Sequence, residues 1–299
     1  MKRKSYARTH HNIAGYAFML PWIFGFLAFT LFPLIYVGYL SFFTVHWTVE
    51  GLEITYVGIE NYASALLRNP LFTPALTQFV TRVATFTPVI TVVSFILALL
   101  LNRNIKFRAA FRALFFMPVI VISGPVVSHL MDVGGMSVDI RVFDMPLLLM
   151  VAQFSWRAAD ILILLLENYA MVLWFTGIPI VLILSGLQKI DSGILEAARI
   201  DSATSWQILW KITIPIIRPI VLVSMILTIV QLANFQNPVL PMIQNPVFTG
   251  AGLGMASAFS WIYTIVVLLL IGIAFLIMKN PREKEPELVK TRTRRWNEG

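Results

Sequence analysis

EAARIDSATSWQILWKITIP, residues 196–215, is a charged and alanine-paired stretch in a chain that is otherwise mostly apolar. Asp191 or Ser192, just upstream, can cap the start of a helix, because a short polar side chain accepts a hydrogen bond from the free N–H groups there. Glu196 would then lie near the positive end of the helix dipole. The alanine pair 197–198 adds almost no side-chain bulk, so a partner surface can approach this helix closely.

A second short helix is predicted after Ser202. Its side chains recur at three- and four-residue spacing, which is the spacing of one helical face, at Trp206, Leu209, Trp210 and Thr213. Pro215 then opens a long apolar helix. The stretch therefore predicts two short helices with a bend between them, followed by a membrane segment. An ordinary interfacial helix-turn-helix would show the same pattern.

The rest of the chain has the composition of a polytopic membrane protein. Of its 299 residues, 58% are hydrophobic and 13% are charged, and the mean hydropathy is +0.79. Soluble domains carry roughly a quarter charged residues, and about 20 apolar residues suffice to span a bilayer core. The sequence has no cysteine, which excludes a disulfide framework, thiolate metal sites and thiol catalysis.

Six membrane spans are predicted, at residues 13–43, 79–101, 110–131, 161–187, 214–235 and 255–278, with an outer loop over residues 46–78. Of the 23 Lys and Arg residues, 19 fall on one side of the membrane, in the two tails and in the second–third and fourth–fifth connections. The positive-inside rule then places both termini in the cytoplasm. Because these residues are spread over four segments, the formal charge of +8 indicates contact with anionic lipid headgroups rather than nucleic acid.

The predicted organisation is a basic cytoplasmic tail (residues 1–12), a six-helix transmembrane domain (13–278) and a polar cytoplasmic tail (279–299). The start, MKRKSYARTHH, is similar to the basic region of a secretory signal. However, the apolar run at residues 13–45 is about twice as long as a signal-peptide core, and no small-residue cleavage site follows it. We interpret this run as an uncleaved first helix.

The sequence shows no motif of an enzyme. No glycine is followed by lysine, so no Walker A loop is present, and the four histidines lack the spacing of metal ligands. No nucleophile elbow occurs. GAGLG, residues 250–254, is glycine-rich, but it follows an outer loop, so a flexible lead-in to the last helix is favoured over a phosphate-binding loop.

The quoted stretch resembles the hallmark of the permease subunits of ATP-binding-cassette (ABC) importers, the EAA loop, which here covers residues 188–215. In that family Glu-Ala-Ala is followed by an Asp-Gly-Ala turn and by a proline. The matching residues are Glu196, Ala197, Ala198, Asp201, Ser202, Ala203 and Pro215. Ser202 stands where the family usually has glycine; if the turn requires a positive φ, serine costs about 1 kcal/mol there. The resemblance implies that this loop forms coupling helices that sit in a groove on a separate ATPase subunit.

Further segments are similar to the carbohydrate (maltose-type) permeases, specifically to the first member of a heterodimeric pair. They are LPWIFGFLAFTLFPLIYVGYLSFF (20–43), YVGIENYASALLRNPLFTPAL (56–76), FRAAFRALFFMPVIV (107–121) and GLGMASAFSWIYTIVVLLLI (252–271). Residues 133–169 and the short linker before the last helix depart from the family pattern. Because those segments border the translocation path in the family, they leave the substrate open.

Candidate substrate-path residues are those whose side chains can bind a sugar, through aromatic faces against C–H surfaces and through amides or carboxylates for hydroxyls. They are Glu167, Asn168, Trp174, Gln231, Asn234, Gln236, Asn237, Trp261 and Tyr263. Glu167 is the only acid clearly inside an apolar run, which makes it a functional candidate; alternatively it lies at the outer headgroups, solvated or paired with Arg157. Interhelical hydrogen bonding explains the amides equally well, and packing or interfacial anchoring is the commoner role of the aromatic residues.

The resemblance implies an all-α type I importer permease in a bacterial inner membrane, working by alternating access. The expected partners are a second homologous permease, two ATPase subunits and an extracytoplasmic solute-binding protein. ATP and Mg would bind to the ATPase subunits, with no cofactor on this chain. The substrate class implied is a sugar or oligosaccharide. The alternatives are a permease for a peptide, phosphate or an amino acid, or a structural membrane subunit without its own pathway.

Overall fold

The computed structural model describes residues 18–48, 51–103, 150, 153, 155–235, 237–248 and 252–279. Within these residues the regular structure is helical apart from one β-hairpin. The helices are α1 (Phe18–Leu40), α2 (Glu60–Ala63), α3 (Phe72–Asn102), α4 (Trp156–Glu167), α5 (Tyr169–Phe175), α6 (Gly177–Gln188), α7 (Ser192–Ile200), α8 (Ser205–Asn234), α9 (Val239–Phe248) and α10 (Gly252–Met278). The strands are β1 (Phe43–Thr48) and β2 (Gly51–Tyr56).

Four of the described helices, α1, α3, α8 and α10, are long and apolar enough to cross a membrane. They coincide with the first, second, fifth and sixth predicted spans, because a long apolar window is a property of the local sequence. The third predicted span, residues 110–131, lies outside the described residues.

The fourth predicted span, residues 161–187, is not one continuous helix. It is divided among α4, α5 and α6, with breaks at Asn168 and Thr176. Gly177 and Pro179 favour a new helix start after Thr176, since proline has no N–H to donate and is well tolerated in a first turn. Together, α6 and α7 are apolar and long enough for a fifth span, but they meet at a bend of 65°.

The chain divides into two compact units, and the first comprises residues 1–85 and 232–269. In it, β1 and β2 pair antiparallel from Phe43 opposite Tyr56 to Thr48 opposite Gly51. This hairpin corrects the all-α prediction, which placed a loop here. Threonine, valine, isoleucine and tyrosine in these two segments are good strand formers, so the local sequence supports the hairpin.

Asn61 holds the start of the hairpin in the first unit. Its side chain is buried, and Nδ2 donates to the carbonyl oxygens of Ser41 and Phe43, each at 2.9 Å. Gly254, in the first turn of α10, lies directly against the same strand. A Cβ at Gly254 would overlap the backbone oxygen of Phe43 and lie 2.9 Å from its carbonyl carbon. The glycine is therefore packed inside a helix and is not part of the predicted flexible lead-in.

Aromatic pairs join α3 to α10 within the first unit. Phe72 stacks on Phe259 with the ring centroids 4.3 Å apart, and Phe79 contacts Tyr263 with the centroids 4.9 Å apart. Phe72 and Phe79 are fully buried. These contacts recur after seven residues of α3, which is two helical turns, so they lie on one face of that helix.

The second unit comprises residues 86–231 and 270–299. Its core joins α3, α6 and α8 through side chains that are at most 5% exposed: Ala98, Leu101, Ile180, Ile183, Leu184, Leu187 and Ile217. Gly186 allows α6 and α8 to approach closely, because a Cβ there would lie 2.6 Å from Cδ1 of Ile220. The two helices that flank the EAA loop are therefore packed against each other at its base.

Candidate functional site

The EAA loop begins with the capped helix α7. The side chain of Asp191 accepts a hydrogen bond from the N–H of Gly193 at 3.0 Å, so Asp191, rather than Ser192, is the helix cap. Glu196 is exposed, as is Ala197, whereas Ala198 is half-buried. Glu196 is the fifth residue of α7 and lies outside its first turn. The predicted interaction with the helix dipole is therefore weak, since that effect fades beyond the first turn.

The turn after α7 is a Schellman motif. The N–H of Ser202 bonds to the carbonyl of Arg199, and the N–H of Ala203 bonds to the carbonyl of Ala198, both at 3.0 Å. This pair of bonds places Ser202 at the position where helices end in the left-handed conformation, usually with glycine. Ser202 has a φ of 59° and is the only non-glycine residue with positive φ in the described part of the chain. The turn therefore does place Ser202 at a positive φ, which is the condition under which we expect serine to cost about 1 kcal/mol relative to glycine.

Ser202→Gly is expected to keep the loop and to raise the free energy of unfolding by up to about 1 kcal/mol, because glycine adopts positive φ without strain. Thermal unfolding of the purified permease measures this change. Ser185→Gly is the matched control: Ser185 is exposed within α6, where glycine destabilises by about 0.5–1 kcal/mol. A severe loss of function in Ser202→Gly would contradict the strain argument and give the serine hydroxyl a role of its own.

A capping box starts the second half of the EAA loop. Thr204 Oγ1 accepts from the N–H of Gln207 at 3.3 Å, and Gln207 Oε1 accepts from the N–H of Thr204 at 2.9 Å. A π-helical turn, Leu209–Thr213, then joins this first turn to the α-helical segment Ile214–Asn234. Pro215 is the second residue of that segment, as predicted, but the chain is already helical from Ser205. A π-helical turn is wider than an α-helical one. It therefore gives room to the ring of Pro215, which would otherwise crowd the carbonyl four residues before it.

An apolar surface is exposed on the EAA loop. Ile200 is 83% exposed, and Trp206 and Trp210 are 68% and 52% exposed. The two indole rings meet edge-on, with their centroids 5.4 Å apart. The loop therefore presents three exposed carboxylates (Asp191, Glu196 and Asp201), a small alanine face and an aromatic pair on a backbone held by caps at both helices. This arrangement can dock against a partner.

Four candidate substrate-path residues lie in the second unit. Glu167 is the last residue of α4, and its side chain is outside the described part of the structure. Asn168 is half-buried at the break before α5. Nε1 of Trp174, in α5, and Oε1 of Gln231, in α8, are buried and have no hydrogen-bond partner among the described residues. These two atoms are the ones in this set with unused hydrogen-bonding capacity.

The candidates in the first unit are mostly engaged with the protein itself. Asn237 is buried; its Nδ2 donates to the carbonyl of Ala233 at 2.6 Å and to the Tyr263 hydroxyl at 2.9 Å. Its Oδ1 accepts from the first N–H groups of α9, and the Tyr263 hydroxyl donates to Ala233 at 2.6 Å. Trp261 is the exception: its indole lies 3.2 Å from where a Cβ of Gly38 would be, and its Nε1 is buried with no hydrogen-bond partner among the described residues.

The remaining two candidates add little geometry. Asn234 is exposed at the end of α8, and Gln236 lies outside the described residues. The structure thus groups Asn237 with Tyr263 in one polar contact. Nε1 of Trp174 and Oε1 of Gln231 make no such contact within the part of the chain that the structure describes.

Sequence reasoning missed three residues that position the helices: Asn61, Gly254 and Arg218. Arg218, in α8, donates from Nη2 to the carbonyls of Ile277 and Lys279, at 3.1 and 3.0 Å. Each of the three acts on a backbone atom of a segment distant in sequence. No spacing pattern marks such contacts, because the acceptor carbonyl is common to every residue type.

Comparison with known proteins places these features in a family. No protein-family model matches the chain. It is 28% identical over 235 residues to the probable ABC transporter permease protein YesP of Bacillus subtilis, covering 75% of this chain and 72% of that protein. It is 32% identical over 215 residues to the multiple sugar-binding transport system permease protein MsmF of Streptococcus mutans, covering 69% of each.

A solved structure shares the fold. It is a chain of a bacterial alginate ABC transporter, crystallised in complex with an alginate pentasaccharide-bound periplasmic protein. The TM-score is 0.65 at 18% sequence identity, and the match covers 92% of this chain and 96% of that chain. Taken with the long apolar helices and the EAA loop, these similarities show that the chain belongs to the family of multi-pass cell-membrane permease subunits of ABC transporters that includes the sugar-transport permeases.

Proposed function

We propose that this chain is the permease subunit of a binding-protein-dependent ABC importer whose substrate is a sugar or an oligosaccharide. The EAA loop carries this proposal, because it exposes a capped helix, a close-approach alanine face and Glu196 on a rigid turn. The sugar class is supported by the 32% identity to the multiple-sugar permease.

The proposed assembly has four membrane-bound parts and one soluble receptor. This chain pairs with a second, homologous permease, as the first member of a maltose-type pair, and each permease meets one ATPase subunit. ATP and Mg bind to the ATPase subunits. An extracytoplasmic solute-binding protein delivers the substrate, as the crystallised alginate system with its periplasmic protein supports.

The proposed topology has six spans and cytoplasmic termini. It rests on the charge bias, with 19 of 23 basic residues on the side that also carries the EAA loop. Helices α1, α3, α8 and α10 account for four of these six spans. The remaining two spans are assigned to residues 110–131 and to the interrupted segment from α4 to α6.

The mechanism is alternating access driven through the EAA loop. ATP closes the ATPase dimer, and the loop is displaced as one body, because the Schellman turn and the capping box leave few of its backbone groups unpaired. The close packing of α6 on α8 at Gly186 joins the two ends of the loop. The last four spans then open outward to receive the substrate, and hydrolysis resets the path.

Within the path, Trp174, Gln231 and Trp261 are the strongest candidates for contact with substrate, since each has a buried polar atom that no described residue satisfies. A buried group of this kind normally finds a partner. A sugar hydroxyl in transit would satisfy any of these atoms. Asn237 and Tyr263 are better assigned to positioning α9 and α10, because they bond to each other and to the backbone.

Trp174→Phe is therefore expected to raise the KM of uptake about tenfold with assembly unchanged, because a hydrogen bond of about 1–1.5 kcal/mol to the sugar is lost. Uptake into proteoliposomes at several substrate concentrations measures this. Trp22→Phe is the matched control, as Trp22 is 68% exposed on α1. Equal KM values in the two variants would remove Trp174 from the path.

The proposed function is tested by identifying what the cognate solute receptor binds and reconstituting the complex. Binding of a sugar by the receptor, with ATP-dependent uptake of that sugar, is the expected result. If the receptor binds peptide, phosphate or an amino acid instead, the chain is still a permease, but its substrate is not a sugar. A complex that assembles but transports nothing would favour the structural-subunit alternative.

A further inference from the structure

Arg218 links the base of the EAA loop to the end of the last helix. It is the fifth residue of the α-helical segment that begins at Ile214, about one turn after the loop. Its Nη2 donates to the carbonyl oxygens of Ile277 and Lys279, at 3.1 and 3.0 Å, across 59 and 61 residues of sequence. Ile277 lies in the last turn of α10, where carbonyls have no partner within the helix, and Lys279 is the residue directly after the helix ends at Met278.

The chemistry of this contact suits a firm mechanical link. The last carbonyls of a helix carry the negative end of its dipole, so a guanidinium there is both a hydrogen-bond donor and a favourable charge. A hydrogen bond from a charged donor is generally stronger than one between neutral groups, although at 3.1 and 3.0 Å these two have the length of ordinary N–H···O bonds. Because the acceptors are backbone atoms, the link holds the helix end itself rather than a mobile side chain.

The residues next to Arg218 in α8 pack against α6, the helix that precedes the EAA loop. Ile217 is fully buried in the core shared with α3 and α6, and Ile220 lies against Gly186 of α6. The base of α8 is thus packed on α6 by one face and bonded to α10 by Arg218. The EAA loop begins where α6 ends and continues into α8, so both of its ends meet at this point.

We propose that Arg218 is a positioning residue that makes the C-terminal end of α10 move together with the EAA loop. When the ATPase subunits displace the loop, the base of α8 carries α10 with it through the two carbonyl bonds. The last span then changes position at the same time and by the same amount as the coupling helices. This inference rests on the proposed function, since it concerns how ATP-driven motion is distributed.

The test uses spin labels on the assembled permease pair with its ATPase subunits. The chain contains no cysteine, so labels attach only where cysteine is introduced into it, provided that the partner subunits are also cysteine-free. One labelled pair, Ser205→Cys with Leu276→Cys, reports the distance between the EAA loop and α10. A second pair, Phe29→Cys with Leu276→Cys, reports the movement of α10 against α1. Distances are measured without nucleotide and with MgATP plus orthovanadate.

With Arg218 present, MgATP and orthovanadate should change the second distance and leave the first unchanged. Arg218→Gln should broaden and shift the first distance and reduce the change in the second. Stimulation of ATP hydrolysis by the solute receptor should fall at least about fivefold, the lower range of typical coupling effects. Arg218→Lys should recover part of the response, because an ammonium keeps the charge but not the planar fork.

Lys279→Gln is the matched control: it removes an exposed positive charge at the same helix end and keeps the carbonyl acceptor. It should behave like the unsubstituted complex. Two results would overturn the role of Arg218: an unchanged nucleotide response in Arg218→Gln, or a loss in that variant explained wholly by less permease in the membrane. If MgATP and orthovanadate change neither distance in the unsubstituted complex, ATP does not drive movement of this chain, and the proposed function itself fails.

Discussion

Glu196→Lys should abolish ATP-driven uptake while the permease remains folded in the membrane. Glu196 is exposed in the middle of α7, so its replacement leaves the contacts of this chain intact. In the assembled importer the carboxylate would be buried against the ATPase subunit. Disrupting a buried, hydrogen-bonded charge at an interface costs about 2–5 kcal/mol. We therefore expect binding of the ATPase subunit to weaken by at least about 30-fold.

Co-purification of the ATPase subunits and uptake into proteoliposomes measure these two effects separately. Glu53→Lys provides the control, because it makes the same charge change at an exposed position of β2. That variant should assemble and transport normally. Normal uptake in Glu196→Lys would refute the assignment of the EAA loop as the coupling element, whereas failure of both variants would indicate a general effect of added charge.

Gly254→Ala is expected to destabilise the permease strongly. The added Cβ would overlap the backbone oxygen of Phe43, and a backbone atom cannot move aside as the end of a flexible side chain can. Either α10 or the hairpin must shift, which would disturb the bonds from Asn61 to the carbonyls of Ser41 and Phe43. Overpacking of this kind typically costs about 1–3 kcal/mol and occasionally more. The loss of stability is measured as a smaller amount of folded protein in the membrane and as a lower unfolding temperature in detergent.

Gly272→Ala is the matched control for this substitution. Gly272 lies in the same helix, and a Cβ there would meet no atom within 4 Å. Alanine at an open helical position is neutral or stabilises by up to about 1 kcal/mol. If Gly254→Ala proved as stable as Gly272→Ala, the close approach of α10 to β1 would not exist in the protein.

The parts of the fold that were predicted correctly depend on neighbouring residues. The spans at α1, α3, α8 and α10 follow from continuous apolar windows. The cap at Asp191 and the turn at Ser202 follow from residue types within a few positions of each other. The hairpin was missed because most of its residues lie in the segment that we interpreted as an outer loop, residues 46–78. The break at Thr176 was missed because it interrupts an apolar run without changing its composition.

The candidate site divides in the same way. The EAA loop was located, and its bend anticipated, from one contiguous stretch of sequence. The substrate-path candidates were chosen by residue type, and residue type does not reveal whether a polar atom is already bonded. Tyr263 and Asn237 use their polar atoms on each other and on Ala233, whereas Nε1 of Trp174 has no partner in the part of the chain that the structure describes.

The sequence by itself determined that this chain is a multi-pass membrane protein and located two short helices with a bend between residues 191 and 215, because apolar run length and helical spacing are expressed between near neighbours. Only the tertiary structure decided that Gly254 must be glycine, that Asn61 fastens the hairpin and that Arg218 reaches the end of α10. Those assignments depend on backbone atoms brought together from distant segments. A backbone carbonyl looks the same at every position of a sequence, so its partner can be named only when the chain is folded.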